Sequence, residues 1–290
     1  MIKKLCFISS ILLMFAFAKE ANAFSISPSK FLVTADQGMS QTITVKIKNN
    51  EAASMQFSAS VLGAKQDDQG HPVFGTGIDD AENWVRPEIA SFNIVPGETK
   101  TLDFFINVPK DTLSGSHYLG LAVEPIYPKG SQVSLGGRLV SILTLQVSGT
   151  VNESLGITRW KPSGNLFTEN IWKFNLELKN SGDIEVPAVG SVSISNWKGK
   201  EIFSENLNLG NQILAGSLRS LEPSVVLADK GFWPGLYQAK IKVSYGKTGQ
   251  VAYAMANAWY LPLWSIFALC AFFVVLIAVI IFLSRSRHRV

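Results

Sequence analysis

Short runs in which apolar and polar residues alternate fill the chain between Phe24 and Tyr260, and Gly, Pro, Asn and Asp break them at close intervals. The clearest is Thr42 to Lys48, apolar at Ile43, Val45 and Ile47 with polar residues between. A period of two puts one side of a strand in a core, and Asn49-Asn50 ends this strand in a turn. Gln56 to Val61 and Thr101 to Val108 follow the same habit. Tyr118 to Val123 and Leu139 to Val147 are more continuously apolar, as central strands are. The second half repeats the plan. Trp172 to Leu178 alternates and closes with Lys179-Asn180-Ser181-Gly182, matching Lys48-Asn49-Asn50. Pro96-Gly97 corresponds to Ala215-Gly216, and Leu113 to Val123 corresponds to Trp233 to Val243. Trp197-Lys198-Gly199-Lys200 reads as a hairpin turn. Self-similarity of this kind, with about seven short strands per copy, predicts an all-β fold of two tandem immunoglobulin-like β-sandwiches. Their expected extents are 24–149 and 150–260, meeting in the small polar stretch Ser148 to Ser154.

The alternation stops at Leu261. From there to Leu283 run 23 residues without a charge. At 1.5 Å per residue this predicts a transmembrane α-helix over 261–283, because a buried helix is rarely apolar on every face for so long. Trp259, Tyr260 and Trp264 stand at its entrance, where an aromatic belt meets the headgroups. Arg285, Arg287 and Arg289 follow its exit and mark 284–290 as a cytoplasmic tail. At the other end, Lys3 and Lys4, the apolar stretch Leu5 to Ala18 and Ala21-Asn22-Ala23 predict a cleaved signal peptide over 1–23. The expected topology is a single-pass type I protein of the cell membrane, with the N-terminal domains extracytoplasmic.

Composition changes the picture in two places. The net charge of +4 suggests a basic surface, but the signal segment contributes +2 and the tail arginines +3. The remainder carries −1, so no nucleic-acid surface is expected. The two cysteines, Cys6 and Cys270, lie in the signal and the span, so residues 24–258 form no disulfide.

Candidate chemistry is sparse. Only His71 and His117 are exported histidines, and no Gly-x-Ser-x-Gly elbow, His-Glu-x-x-His helix or phosphate loop occurs. The chain is therefore expected not to be an enzyme and to use no cofactor. One acidic concentration spans Lys65 to Asn83, read as a long irregular loop of the kind that carries recognition. Its Asp67, Asp68, Asp79, Asp80 and Glu82 are weak calcium candidates, because calcium takes several carboxylate oxygens, although their spacing fits no EF-hand. Trp84, Trp160, Trp172, Trp197 and Trp233 are aromatics able to stack on sugar rings. Trp172 and Trp233, near strand starts, are expected in the core. Trp197, beside its hairpin turn, is expected to be exposed. Trp84, His117 and Trp197 are the binding candidates.

One group of residues carries a resemblance. These are Phe24-Ser25-Ile26-Ser27-Pro28, Asn49-Asn50, Trp84, Val95-Pro96-Gly97-Glu98-Thr99-Lys100, Val108-Pro109, Gly115 and Tyr118-Leu119-Gly120. With the signal and the C-terminal helix, the layout resembles the WxL-interacting proteins of bacterial surfaces. That resemblance implies two sandwich domains on a membrane anchor, the first associated with peptidoglycan and the second with surface proteins. The tyrosine- and aspartate-containing segment usual after that family's opening strand is missing. A broader resemblance is to periplasmic pilus chaperones, which share the opening strand and the Asn-ended second strand. The function expected first is a non-catalytic surface protein binding cell-wall glycan, other surface proteins, or both. The alternatives are a chaperone-like or assembly role, with edge strands of the first domain pairing with exported subunits, and a structural stalk.

Overall fold

The computed structural model describes residues 24–127, 137–210, 212–227 and 233–287, with side chains as far as 281. The expected signal peptide and Arg289 lie outside the described residues, as do the side chains of Arg285 and Arg287. The chain is mostly β with one C-terminal apolar helix. It divides into two compact units. Of the described residues, one gathers those up to Gly63, Phe74–Thr112 and those within His117–Val147, and the other gathers Ala64–Val73, Leu113–Ser116 and those from Ser148 on.

The strands that build the first core are, in chain order, β1 (Ser25–Ser27), β2 (Lys30–Ala35), β3 (Ser40–Lys48), β4 (Met55–Gln66) and β5 (Pro72–Gly75). They are followed by β6 (Val85–Pro87), β7 (Ser91–Ile94), β8 (Thr99–Asn107), β9 (Gly115–Ile126) and β10 (Leu139–Val147). One sheet has the order β1-β3-β8-β6, and the other β2-β10-β9-β4-β5 with β7 also on β4. The inward positions of Val45, Ile47, Leu102, Phe104 and Ile106 meet Phe57, Leu119, Leu121, Val123, Leu143 and Leu145 across the space between the sheets. Each such side chain contributes about 1.5–3 kcal/mol by leaving water. The opening strand serves both sheets. Pro28 cannot donate to a ladder, so the chain pairs antiparallel with β3 up to Ser27 and parallel with β10 from Lys30.

The other core uses β11 (Leu155–Pro162), β12 (Leu166–Phe167), β13 (Ile171–Asn180), β14 (Ala188–Asn196) and β15 (Glu201–Leu207). It is completed by β16 (Leu218–Leu221), β17 (Ser224–Val226), β18 (Gly235–Tyr245) and β19 (Gln250–Tyr260). The sheet orders are β11-β13-β16, with β17 also on β13, and β12-β19-β18-β14-β15. Its centre is aromatic. Trp172 stacks on Phe167 at 4.9 Å, Trp160 on Phe174 at 4.5 Å, and Tyr237 and Tyr260 close the cluster.

One device recurs in both cores. Asn49, buried at the end of β3, donates through Nδ2 to the carbonyls of Ala53 (2.9 Å) and Ile94 (3.0 Å) and accepts from the N–H of Glu51. Asn180, buried at the end of β13, donates to Ile184 and Ile213 (2.9 Å each) and accepts from Gly182. The backbone N–H of each asparagine donates to the residue after a turn glycine, Glu98 after Gly97 and Ser217 after Gly216. Those glycines sit at φ +76° and +70°, where a side chain is strained.

The helix α1 runs Leu263–Arg287, and its Leu263–Ile281 portion has a mean hydropathy of 2.9. It begins two residues later than the sequence predicts. The Leu261 N–H still belongs to the sheet, donating to Phe167, and Pro262 has no N–H to give. Its carbonyl receives both the N–H and the Oγ of Ser265, which starts the first turn.

Replacing Asn180 with Ala strands two buried carbonyls, and replacing Asn49 strands the buried carbonyl of Ile94 and the more exposed one of Ala53, each buried orphan worth about 1–3 kcal/mol. We expect either variant to lose at least about 2 kcal/mol in guanidinium unfolding of the full chain. A midpoint unchanged from wild type would contradict the role given to these residues.

Candidate functional site

The segment expected as a long irregular loop is ordered, and its acidic residues do the ordering. Gln66, at the end of β4, donates to the carbonyl of Gln212 and accepts from the N–H of Leu214. Asp67 closes the next turn, accepting from the N–H groups of Gln69 and His71 and from the His71 ring at 3.3 Å. A single 3-10 turn then runs Asp80–Trp84. Asp79 caps it, and Glu82 returns its carboxylate to the N–H groups of Gly77 (3.0 Å), Ile78 (2.8 Å) and Asp79 (3.2 Å). That is a capping box, with its donors satisfied on both sides.

Asp79 accepts from the Ala81 N–H (3.0 Å), the Tyr118 N–H (3.1 Å) and His117 Nδ1 (2.8 Å). Burial disfavours its charge. The His117 hydrogen bond, the Ala81 N–H, the His117 charge and the Tyr118 N–H together outweigh burial, so its pKa lies below the usual carboxylate value. An ionised carboxylate only accepts, which makes His117 Nδ1 the donor. Trp84 covers the imidazole edge-on at 4.5 Å between ring centres.

This arrangement answers several expectations. Asp79 and Glu82 spend their oxygens on backbone N–H groups, Asp67 does the same in its own turn, and Asp80 is exposed. Among the described residues no group of three His, Cys, Asp or Glu could hold a metal ion, so the calcium candidates, Asp68 included, are not gathered as a site. Trp84 and His117 pack on each other in the first unit, whereas Trp197 belongs to the second, 71% exposed as expected. Two aromatic expectations are corrected. Trp233 is 72% exposed rather than core, because it precedes the first paired residue of β18 and escapes the strand's alternation. Tyr260 is 4% exposed rather than interfacial, because β19 continues through it and its period of two turns the ring inward. Its hydroxyl meets Asn170 Oδ1 at 2.7 Å. Trp259 and Trp264 are exposed where the chain enters the helix.

What sequence reasoning missed is a stretch of sheet edge where the partner strand changes. The register of β10 with β2 begins at Ile142, opposite Lys30. The Ile142 N–H donates to the carbonyl of Ser29 and Ser141 Oγ to that of Pro28, after which the opening strand leaves for the other sheet. Leu139, Val140 and Ser141 precede that register, and the described β1 and Phe24 stay close to β10 there without a described ladder to it. N–H directions alternate along a strand, so Val140 shares the direction of Ile142 and aims its N–H and C=O to the side on which no ladder partner is described for it. Leu139 and Val140 are half-buried, and Arg138 pairs with Glu124 on β9 just before them. The signal that could have found this edge is Pro28, whose place in the opening strand forces the change of partner.

No family model matches the chain, and no curated protein matches it. Among solved structures, the chain is similar to one from the chaperone–tip adhesin complex of CFA/I fimbriae biogenesis. There the identity is 11%, the TM-score 0.47, and the match covers 83% of this chain and 99% of that one. It is also similar to the class 5 fimbriae chaperone CfaA, at 12% identity and TM-score 0.44, covering 83% of this chain and 100% of that one. A third is from the CsuC–CsuE pre-assembly complex of Acinetobacter baumannii, at 17% identity and TM-score 0.40, covering 69% and 89%.

Because the folded pKa of Asp79 is depressed, its contribution is complete above the ordinary carboxylate range and is lost as pH falls through the folded value. Asp79→Asn should cost about 1–3 kcal/mol at pH 7. The variant should also lose less stability than wild type between pH 7 and pH 3. Urea unfolding midpoints at the two pH values check both statements.

Proposed function

We propose that the chain is a single-pass membrane protein carrying two tandem immunoglobulin-like sandwiches outside the membrane, and that it holds an extended segment of another exported protein. The role is chaperone-like or one of assembly, and no catalysis is involved. The observation that carries this reading is the start of β10 at Leu139–Ser141, where the backbone N–H and C=O of Val140 face a side with no described ladder partner. A partner strand added there would gain main-chain hydrogen bonds from the edge and specificity from side-chain pockets. A surface protein as partner is also what the resemblance to WxL-interacting proteins implies. The glycan-binding reading draws less support, since Trp160 and Trp172 lie in the core and Trp84 packs on His117.

The anchor rests on α1. Its 19-residue apolar portion corresponds to about 28 Å of helix, close to the thickness of a hydrocarbon core. The positive tail then faces the cytoplasm and residues 24–260 face out.

The test is a photo-crosslinking amino acid placed at Leu139 in the full chain, expressed in its own envelope. A discrete protein adduct is expected. Val140→Pro, which removes the outward N–H and leaves the β9 ladder intact, should abolish it while the far-ultraviolet spectrum stays β-rich. An adduct that survives Val140→Pro, or none at all, would sink the proposal.

A further inference from the structure

Four exposed indoles converge at the end of the second unit from which the chain enters α1. The strand registers fix three of the positions involved. Asn196 at the end of β14 lies opposite Tyr237 on β18, while Leu236 lies opposite Trp259 and Gly235 opposite Tyr260 on β19. Trp197 follows Asn196 directly, so Trp197, Leu236 and Trp259 share one end of three neighbouring strands. A Cβ on Gly235 would stand 3.9 Å from Trp197 Cδ1, which places that indole over the start of β18. Trp233, two residues before Gly235, meets the ring of Trp264 in the first turn of α1 edge-on at 6.1 Å. The four indoles are 71%, 72%, 56% and 54% exposed for Trp197, Trp233, Trp259 and Trp264, with Leu236, Leu261 and Leu263 exposed among them.

The hairpin that carries Trp197 holds it firmly. Asn196 Oδ1 accepts from the N–H groups of Lys198 and Lys200, and Gly199 takes the left-handed conformation the turn requires. Two exposed cations, Lys198 and Lys200, therefore flank the indole, and Lys198 Nζ lies 4.8 Å from its ring centre. Indoles prefer the headgroup layer of a bilayer, where the ring is apolar and its N–H stays wet. Lysines beside them are drawn to anionic phospholipids.

We propose that this end of the second unit is a membrane-docking surface. Trp197 and Trp233, far from the span in sequence, join Trp259 and Trp264 in one belt at headgroup depth, and Lys198 and Lys200 meet lipid phosphate. The proposal rests on the reading of α1 as a membrane span, with which the belt is continuous. It assigns Trp197 to lipid and not to a sugar.

The test uses the full chain in vesicles of phosphatidylcholine and phosphatidylglycerol, with part of the lipid brominated near the headgroup end of its acyl chains. Tryptophan emission is compared for wild type and for Trp197→Phe, Trp233→Phe, Trp264→Phe and Trp84→Phe. The emission lost on replacing Trp197 or Trp233 is expected to be quenched by the brominated lipid to an extent comparable with that of Trp264. The emission of Trp84, which packs on His117, sets the background against which these are read. Quenching at Trp264 without quenching at Trp197 and Trp233 would overturn the docking surface and leave the span standing. An unquenched Trp264 would overturn the span and the docking surface with it.

Discussion

Each core of this chain depends on one buried asparagine that cannot be left half-satisfied. Asn49 and Asn180 each bond, through one side-chain amide, the carbonyl four residues on and the carbonyl of an isoleucine beyond the sheet. Each also accepts from the N–H two residues on. No apolar residue of that size satisfies these groups, and a buried orphan costs more than a made bond gains. The amide thus welds three chain segments at the end of a central strand, and the turn through Gly97 or Gly216 falls into place against its backbone. Packing of Phe57, Phe104, Trp172 and Phe174 then fills the space so enclosed.

The same economy governs the acidic segment. A carboxylate can accept several N–H groups, and Asp67, Asp79 and Glu82 each gather the backbone of their own turn. Residues that read as free ligands are hydrogen-bond hubs, and the segment they belong to is built, not loose. The features that point outward lie elsewhere among the described residues, at the start of β10 and in the exposed indoles of Trp197, Trp233, Trp259 and Trp264.

The strands were legible because alternation is local. Ile43, Val45 and Ile47 announce β3, and the paired Asn-ended strands announce the repetition. The helix was legible because nothing charged interrupts it. Errors arose where position depends on partners distant in sequence. Tyr260 and Trp259 are adjacent aromatics, and only the length of β19 decides which one turns inward. Trp233 stands just outside a strand, so periodicity says nothing about it. The change of partner beside Val140 is invisible to any reading of β10 alone, since it depends on a different strand turning at Pro28. The order of the acidic segment hides for the same reason: Gln66 finds its partners 146 and 148 positions away.

The junction between β19 and α1 has a mechanical consequence. Leu261 is still bonded to Phe167, Pro262 stiffens the next step, and Ser265 grips the proline's carbonyl from the first helical turn. No flexible spacer separates sheet from helix, so the helix has little freedom to swivel against the strands it leaves. With α1 in a bilayer, the second unit would behave as a post set in a floor and not as a float on a string. The cost in orientational entropy would fall once, on insertion, and later encounters at its surface would take place at a fixed height.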